Sequence, residues 1–234
     1  MADPSALPGM ARFGITTERA LGGIGLPRLR ALAKRIGRDH SVAAELWASG
    51  IHEARLLAAM VDDPSQVTED QMDAWAADFD SWDVVDGCCG SLFDKTPFAH
   101  RKAVEWSERE EEFVKRAAFS LMASLAVHDK AAPDDAFQRF FPIIEREAGD
   151  PRNFVRKAVN WALRQIGKRN LALNRAAIAV AGRIHETGPR PAKWVASDAF
   201  RELNSDAVQG RLQAKAAKPA SETRARPPPP VSPS

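Results

Sequence analysis

Trp82 and Asp86 stand four residues apart in "DSWDVVDGCC" (80–89). On a helix capped at Ser81, that spacing puts a large aromatic and a carboxylate one turn apart on one face. A carboxylate so placed can stabilise developing positive charge or orient a water, and the tryptophan offers a π face to a cation. A buried face would not want the carboxylate, and a solvated face has no use for the indole. The pair therefore reads as a site, but alone it does not choose a reaction. Asp80 and Asp83 crowd the same turn, and Asp83 reads as a solvated charge or an N-terminal helix charge, not a catalyst.

Other chemistries fit poorly. The two cysteines, Cys88 and Cys89, are neighbours, with no CxxC and no paired Cys/His spacing. A disulfide scaffold or zinc site is not expected, and a reducing compartment is. "HEARL" (52–56) opens like HExxH but has Leu56 where the second histidine belongs, which removes a zinc hydrolase. "MADPSALPGMARFGIT" has no apolar core of a signal peptide, and no run of about 18 apolar residues occurs. The expectation is a soluble, cytoplasmic protein with no membrane span.

The net charge is only +2, but it is unevenly spread. Residues 62–112 hold fifteen acids against four bases, residues 150–215 thirteen bases against five acids, and residues 1–39 seven bases against three acids. Basic ends could follow a polyanion while an acidic middle does something else.

The elements that must position these groups are helices. Helical segments are expected at 27–37, 40–49, 51–61, 68–79, 81–93, 97–106, 109–130, 133–149, 152–168, 174–186 and 191–204, with Asp39 and Thr68 as N-caps. No alternating strand pattern occurs, so the fold class is all-α. "FVKRAAFSLM" (113–122) and "FVRKAVNWAL" (154–163) resemble each other, and "IHEARLLAAM" (51–60) is a looser copy. A period near 40 residues built from helix pairs is that of HEAT-like arrays. The expected architecture is a curved α-solenoid of HEAT-like antiparallel helix pairs over residues 13–212. Residues 1–12 are expected to be loose, and 213–234, ending in "RARPPPPVSPS", to be a disordered Pro-rich tail.

With these features in hand, the chain resembles the DNA alkylation repair family of HEAT-like DNA glycosylases, the AlkD type. The marks are "SWDVVD" (81–86), "EFVKRAAF" (112–119) and "FVRKAVNWALRQIGKRN" (154–170), and the resemblance spans roughly residues 10–212. It implies a monofunctional enzyme that hydrolyses the N-glycosidic bond of cationic N3- or N7-alkylated purines in duplex DNA, as a monomer, without metal or cofactor. It implies Asp86 as the catalytic carboxylate, facing the oxocarbenium-like deoxyribose and orienting water. Trp82 and Trp161 would contact the damaged nucleotide, and Arg116 a phosphate. Candidate DNA-backbone contacts are Lys115, Arg152, Arg156, Lys157, Arg164, Lys168 and Arg169.

Blander readings stand beside these. Trp82 can be a core aromatic, as can Trp161 inside the apolar "AVNWAL", and long basic side chains can merely cover apolar surface. His128 and His185 fall near helix ends, where a cation suits the dipole, and Trp47, Trp75, Trp106 and Trp194 read as packing residues. Two other functions remain: a non-catalytic HEAT-like binder of DNA structures, and a protein-interaction solenoid.

Overall fold

In a computed structural model, residues 3–217 are described, and they form fourteen α-helices, most joined by short connections, with no strand among the described residues. The helices form two layers. Helices α4 (His52–Val61), α6 (Trp82–Ser91), α8 (Glu112–His128), α11 (Asn153–Gly167) and α13 (Arg190–Leu203) pack side by side in that order. Helices α3 (His40–Ala48), α7 (Ala99–Glu105) and α12 (Leu171–Thr187) back them, against α4, α8 and α13 respectively. This is the expected curved solenoid of antiparallel pairs. At its N-terminal end α2 (Leu26–Ile36) leans on α4.

The two best sequence copies become neighbours. Phe113 opens α8 and Phe154 opens α11, and their rings lie 5.6 Å apart. Equivalent residues of α8 and α11 therefore sit at equivalent heights. Helix α8 is central and buries an unbroken run from Arg116 to Ala126, which small residues (Ala117, Ala118, Ala123) permit by letting neighbours approach on several sides. Trp47 and Trp75 stack at 4.0 Å between α3 and α5 (Glu69–Ala77), and Trp106 is buried against Phe93.

The expected caps form: Asp39 accepts the Val42 N–H (3.0 Å) and Thr68 the Gln71 N–H (3.1 Å). Several boundaries differ. The single helix expected over 133–149 is two, α9 (Asp134–Gln138) and α10 (Phe141–Glu147). Pro142 has no N–H to give the Gln138 carbonyl, so the helix cannot run through it. Helix α12 starts at Leu171, because Asn170 caps it by accepting the Leu173 N–H. Before residue 13 the chain forms a 3₁₀ turn, Pro4–Ala6, and a short α1, Leu7–Arg12. At the other end α14 (Asp206–Ala216) continues past residue 212, because Val208 and Leu212, one turn apart, are both buried. Residues 218–234, most of the expected tail, lie outside the described residues. No described helix is long and apolar enough to cross a membrane.

Candidate active site

Ser81 occupies the N-cap of α6, but its hydroxyl donates to the Asp83 carboxylate instead of capping a helix N–H. One turn in, Asp86 accepts two bonds from the Arg116 guanidinium, Nε at 3.1 Å and Nη2 at 2.7 Å, and a third from Ser120 Oγ at 3.0 Å. Arg116 and Ser120 are four residues apart on α8, so both donors leave one face of that helix. The remaining guanidinium nitrogen, Nη1, donates to the Phe154 carbonyl at the start of α11 (2.7 Å). The guanidinium carbon also lies 5.7 Å from the Trp82 ring centre. Arg116 is thus buried, with its charge engaged by Asp86 and not turned outward toward a phosphate.

The electrostatics of Asp86 are a contest. Burial raises its carboxyl above the usual aspartate value, Arg116 and then Ser120 pull it down, and the balance is upward. Facing two N–H donors, the carboxylate is in its acceptor-only, ionised form. Its side chain keeps 22% of its exposure, which leaves one edge open.

That edge faces a cleft of about 560 Å³ lined by Trp82 and Asp86 from α6, Leu56 and Met60 from α4, and Leu26 and Arg30 from α2. Arg38 and Lys95 complete a cationic rim. Gly87 keeps the wall thin, because a Cβ there would meet Leu56 Cδ2 at 3.2 Å. Sequence reasoning missed Arg30, Arg38, Lys95 and Ser120. Ser120 was findable, being one helical turn beyond Arg116. The rim cations come from three segments, and only the fold unites them.

Trp82 is half-buried, and its indole N–H donates to the Phe13 carbonyl (2.9 Å), tying the N-terminal segment to the site. Trp161 does not line the cleft. In the sequence repeat it holds on α11 the position that Ser120 holds on α8. It is half-buried on the same layer of helices and makes no hydrogen bond among the described residues. Trp194 departs from its reading as a packing residue: it is 43% exposed, with the Arg156 guanidinium 5.2 Å from its ring centre.

The remaining backbone candidates are mostly engaged. Lys115 pairs with Glu147 (2.8 Å), Arg152 with Asp150 (2.6 Å), and Arg164 and Lys168 both reach Glu202. Arg169 donates to the carbonyls of Ala126, Asp129 and Ala132. Lys157 alone of this set is exposed with no recorded partner among the described residues.

The "HEARL" residues serve the framework. His52, buried, contacts Asp83 through Nε2 (3.0 Å), while Glu53 accepts the N–H groups of Leu21 and Gly22 at 3.0 and 2.8 Å. Asp83 is thus the acid in the first turn of α6, as one of its two readings had it, and it is held by His52 instead of being freely solvated. Cys88 and Cys89 are free and buried.

A sequence profile described as DNA alkylation repair enzyme matches residues 1–203. Among solved structures, one match belongs to a family described as related to the HEAT-like repeat DNA glycosylases, with affinity for branched DNA structures. It has TM-score 0.69 and 17% identity, covering 90% of this chain and 91% of that one. Two designed armadillo repeat proteins also match, at TM-scores 0.34 and 0.36 and identities of 15% and 13%; they cover 76% and 80% of this chain, and 92% and 90% of their own lengths. No curated protein matches the sequence.

Proposed function

The chain belongs to the DNA alkylation repair enzyme family, and from that premise we propose that it is a monofunctional DNA glycosylase acting on cationic N3- or N7-alkylated purines in duplex DNA. The supporting observation is the convergence of Trp82, Asp86 and Arg116 at a cleft with a cationic rim.

In this reading an alkylated purine is already a cationic leaving group, so its glycosidic bond can break without a general acid. The positive charge then moves to the deoxyribose. Asp86, ionised and fixed by three donors, presents its open edge to that charge and to the attacking water. Arg116 and Ser120 hold the carboxylate's position, so no reorganisation is needed as the charge forms. Trp82, braced by Phe13, offers its ring to the damaged nucleotide. Arg30, Arg38 and Lys95 flank the cleft where phosphates would run, with Lys157 beyond on α11. Trp161 is assigned a contact with the nucleotide next along the layer.

The test is release of 7-methylguanine from methylated duplex by wild type and Asp86→Asn. Loss of one preorganised electrostatic group should lower the rate on the order of 10²–10³-fold while DNA binding persists. Equal release by both proteins would remove Asp86 from the chemistry.

A second reading is favoured by one specific feature: all three donors around Asp86 belong to the protein. A carboxylate so occupied also suits a scaffold that binds DNA structures without chemistry, as the affinity for branched DNA ascribed to a structural relative would suit. That reading expects no base release from either protein and four-way-junction binding indifferent to Asp86.

A further inference from the structure

A second cationic cavity lies at the far end of the same layer. It occupies about 760 Å³ between the C-terminal ends of α8 and α11 and the flank of α14, lined by Lys130, Lys168, Arg169 and Lys215. A smaller recess shares Lys168 and Lys215 and adds Arg211. Cations at helix C-termini are ordinarily accounted for by the exposed carbonyls there. That explanation covers Arg169, which serves three carbonyls, and one N–H of Lys215, which donates to the Arg169 carbonyl (2.7 Å). Glu202 accounts for Lys168.

It does not cover the rest. Among the described residues, Lys130, Arg211 and Lys215 have no carboxylate within ion-pair distance. The acid that lines the cavity, Asp134, accepts a hydrogen bond from the Asn170 amide (2.8 Å) and makes no ion pair with these three cations. Partial burial, then the charges of Arg169 and Lys215, hold the Lys130 ammonium below its ordinary value. Lys130, Arg211 and Lys215 are thus gathered at this space without an ion-pair partner among the described residues, and Asp134 is the acid in the cavity's lining.

Position says which anion. Arg116 and His128 are twelve residues apart on α8, about 18 Å along its axis at the α-helical rise. Lys130 lies just beyond, so the cavity is roughly 20 Å from Asp86. A DNA strand carries a phosphate about every 3.4 Å, so this distance corresponds to about six base pairs.

We propose that this cavity is a second anchor for DNA, binding backbone phosphodiesters about half a helical turn from the lesion through Lys130, Lys215 and Arg211. The proposal rests on the DNA-binding part of the function above and not on its chemistry. It separates holding the duplex, at the C-terminal end of α8, from acting on it at the N-terminal end.

The test uses the full chain and an undamaged, fluorescein-labelled 24-base-pair duplex, with Kd measured across a salt series. Lys130→Gln/Lys215→Gln should flatten the plot of log K against log salt by about 0.9 per lost phosphate contact, and weaken binding roughly eightfold per contact at 0.1 M salt. The control, Arg109→Gln/Arg139→Gln, removes equal charge from residues paired with Glu111 and Asp135 and should leave the slope unchanged. Both are surface changes whose folding is checked by circular dichroism. An unchanged slope in the first variant, equal flattening in the control, or no wild-type binding to this duplex would overturn the anchor. Flattening confined to the first variant supports it whether or not 7-methylguanine is released, so the two readings fail separately.

Discussion

Arg116→Met is the perturbation that best separates a positioning arginine from a phosphate-binding one. Met keeps most of the side chain's length and apolar stem while removing its charge and donors. In the wild type the guanidinium gives Asp86 two hydrogen bonds and the Phe154 carbonyl a third. Breaking a buried ion pair by removing one partner costs about 3–5 kcal/mol. The lower end applies, because Asp86 retains 22% exposure and Ser120. The Phe154 carbonyl lies within α11 and keeps its intrahelical partner, so the total stays at about 3 kcal/mol near pH 8. At roughly 2–4 °C per kcal/mol for a domain of this size, the melting temperature should fall by roughly 6–12 °C. Without its cation the Asp86 carboxyl loses the main influence holding its value down, so it neutralises at milder acidity and the deficit should shrink toward pH 5. Adding Asp86→Asn to Arg116→Met removes the stranded charge and should recover about 2 kcal/mol, read as coupling in a double-mutant cycle of urea unfolding. A cost below about 1 kcal/mol for Arg116→Met, or single costs that simply add, would refute the pair. The arginine would then be free for DNA, as the family resemblance implied.

Two further outcomes follow from the framework around the site. For His52, burial lowers the imidazole's value, but the hydrogen bond and charge of Asp83 outweigh it, leaving it raised above 6.5. A raised value means the His52–Asp83 contribution is complete below 6.5 and is lost as pH rises through the folded-state value; urea midpoints should fall on that alkaline side in wild type, and the fall should vanish in Asp83→Asn. Gly167→Ala should destabilise by roughly 1–3 kcal/mol despite the better helix propensity of alanine, because its Cβ would lie 2.7 Å from Leu203 Cδ2 and 2.9 Å from Ala177 Cβ; an unchanged thermal midpoint would contradict this packing.

Much of the architecture was legible because helical periodicity, N-caps and the repeat all pointed the same way. Asp39 and Thr68 cap as their positions predict, and the FV-basic copies stack in register. What escaped reading was either short or tertiary. Helix α14 holds by only two buried residues, Val208 and Leu212, too few to stand out beside a proline-rich segment. The Trp82/Asp86 pairing was readable from i,i+4 spacing. Its third partner was named from a motif, but not what it touches: nothing local shows that the Arg116 guanidinium crosses to α6 rather than leaving the surface. The same limit applies to Arg164 and Lys168, whose partner Glu202 is more than thirty residues away.

The uneven charge along the chain takes its meaning from the layers. Four acids of the acidic stretch, Glu69, Asp70, Asp73 and Glu105, fall on α5 and α7, away from the lining of the cleft. There Lys102 alone contacts Glu69, Asp73 and Glu105 at 2.7 to 3.0 Å, and Arg101 binds Glu69 and Glu105 as well. Those acids are neutralised where they stand and do not face the cleft. Asp83 and Asp86 are members of the stretch that reach it; His52 contacts the first, and Arg116 balances the charge of the second. A duplex approaching the cleft would therefore meet Arg30, Arg38 and Lys95 around two partnered carboxylates, Asp83 and Asp86, not an acidic wall. Holding acids of α5 and α7 in ion pairs away from the cleft lets a protein of small net charge set cations beside it.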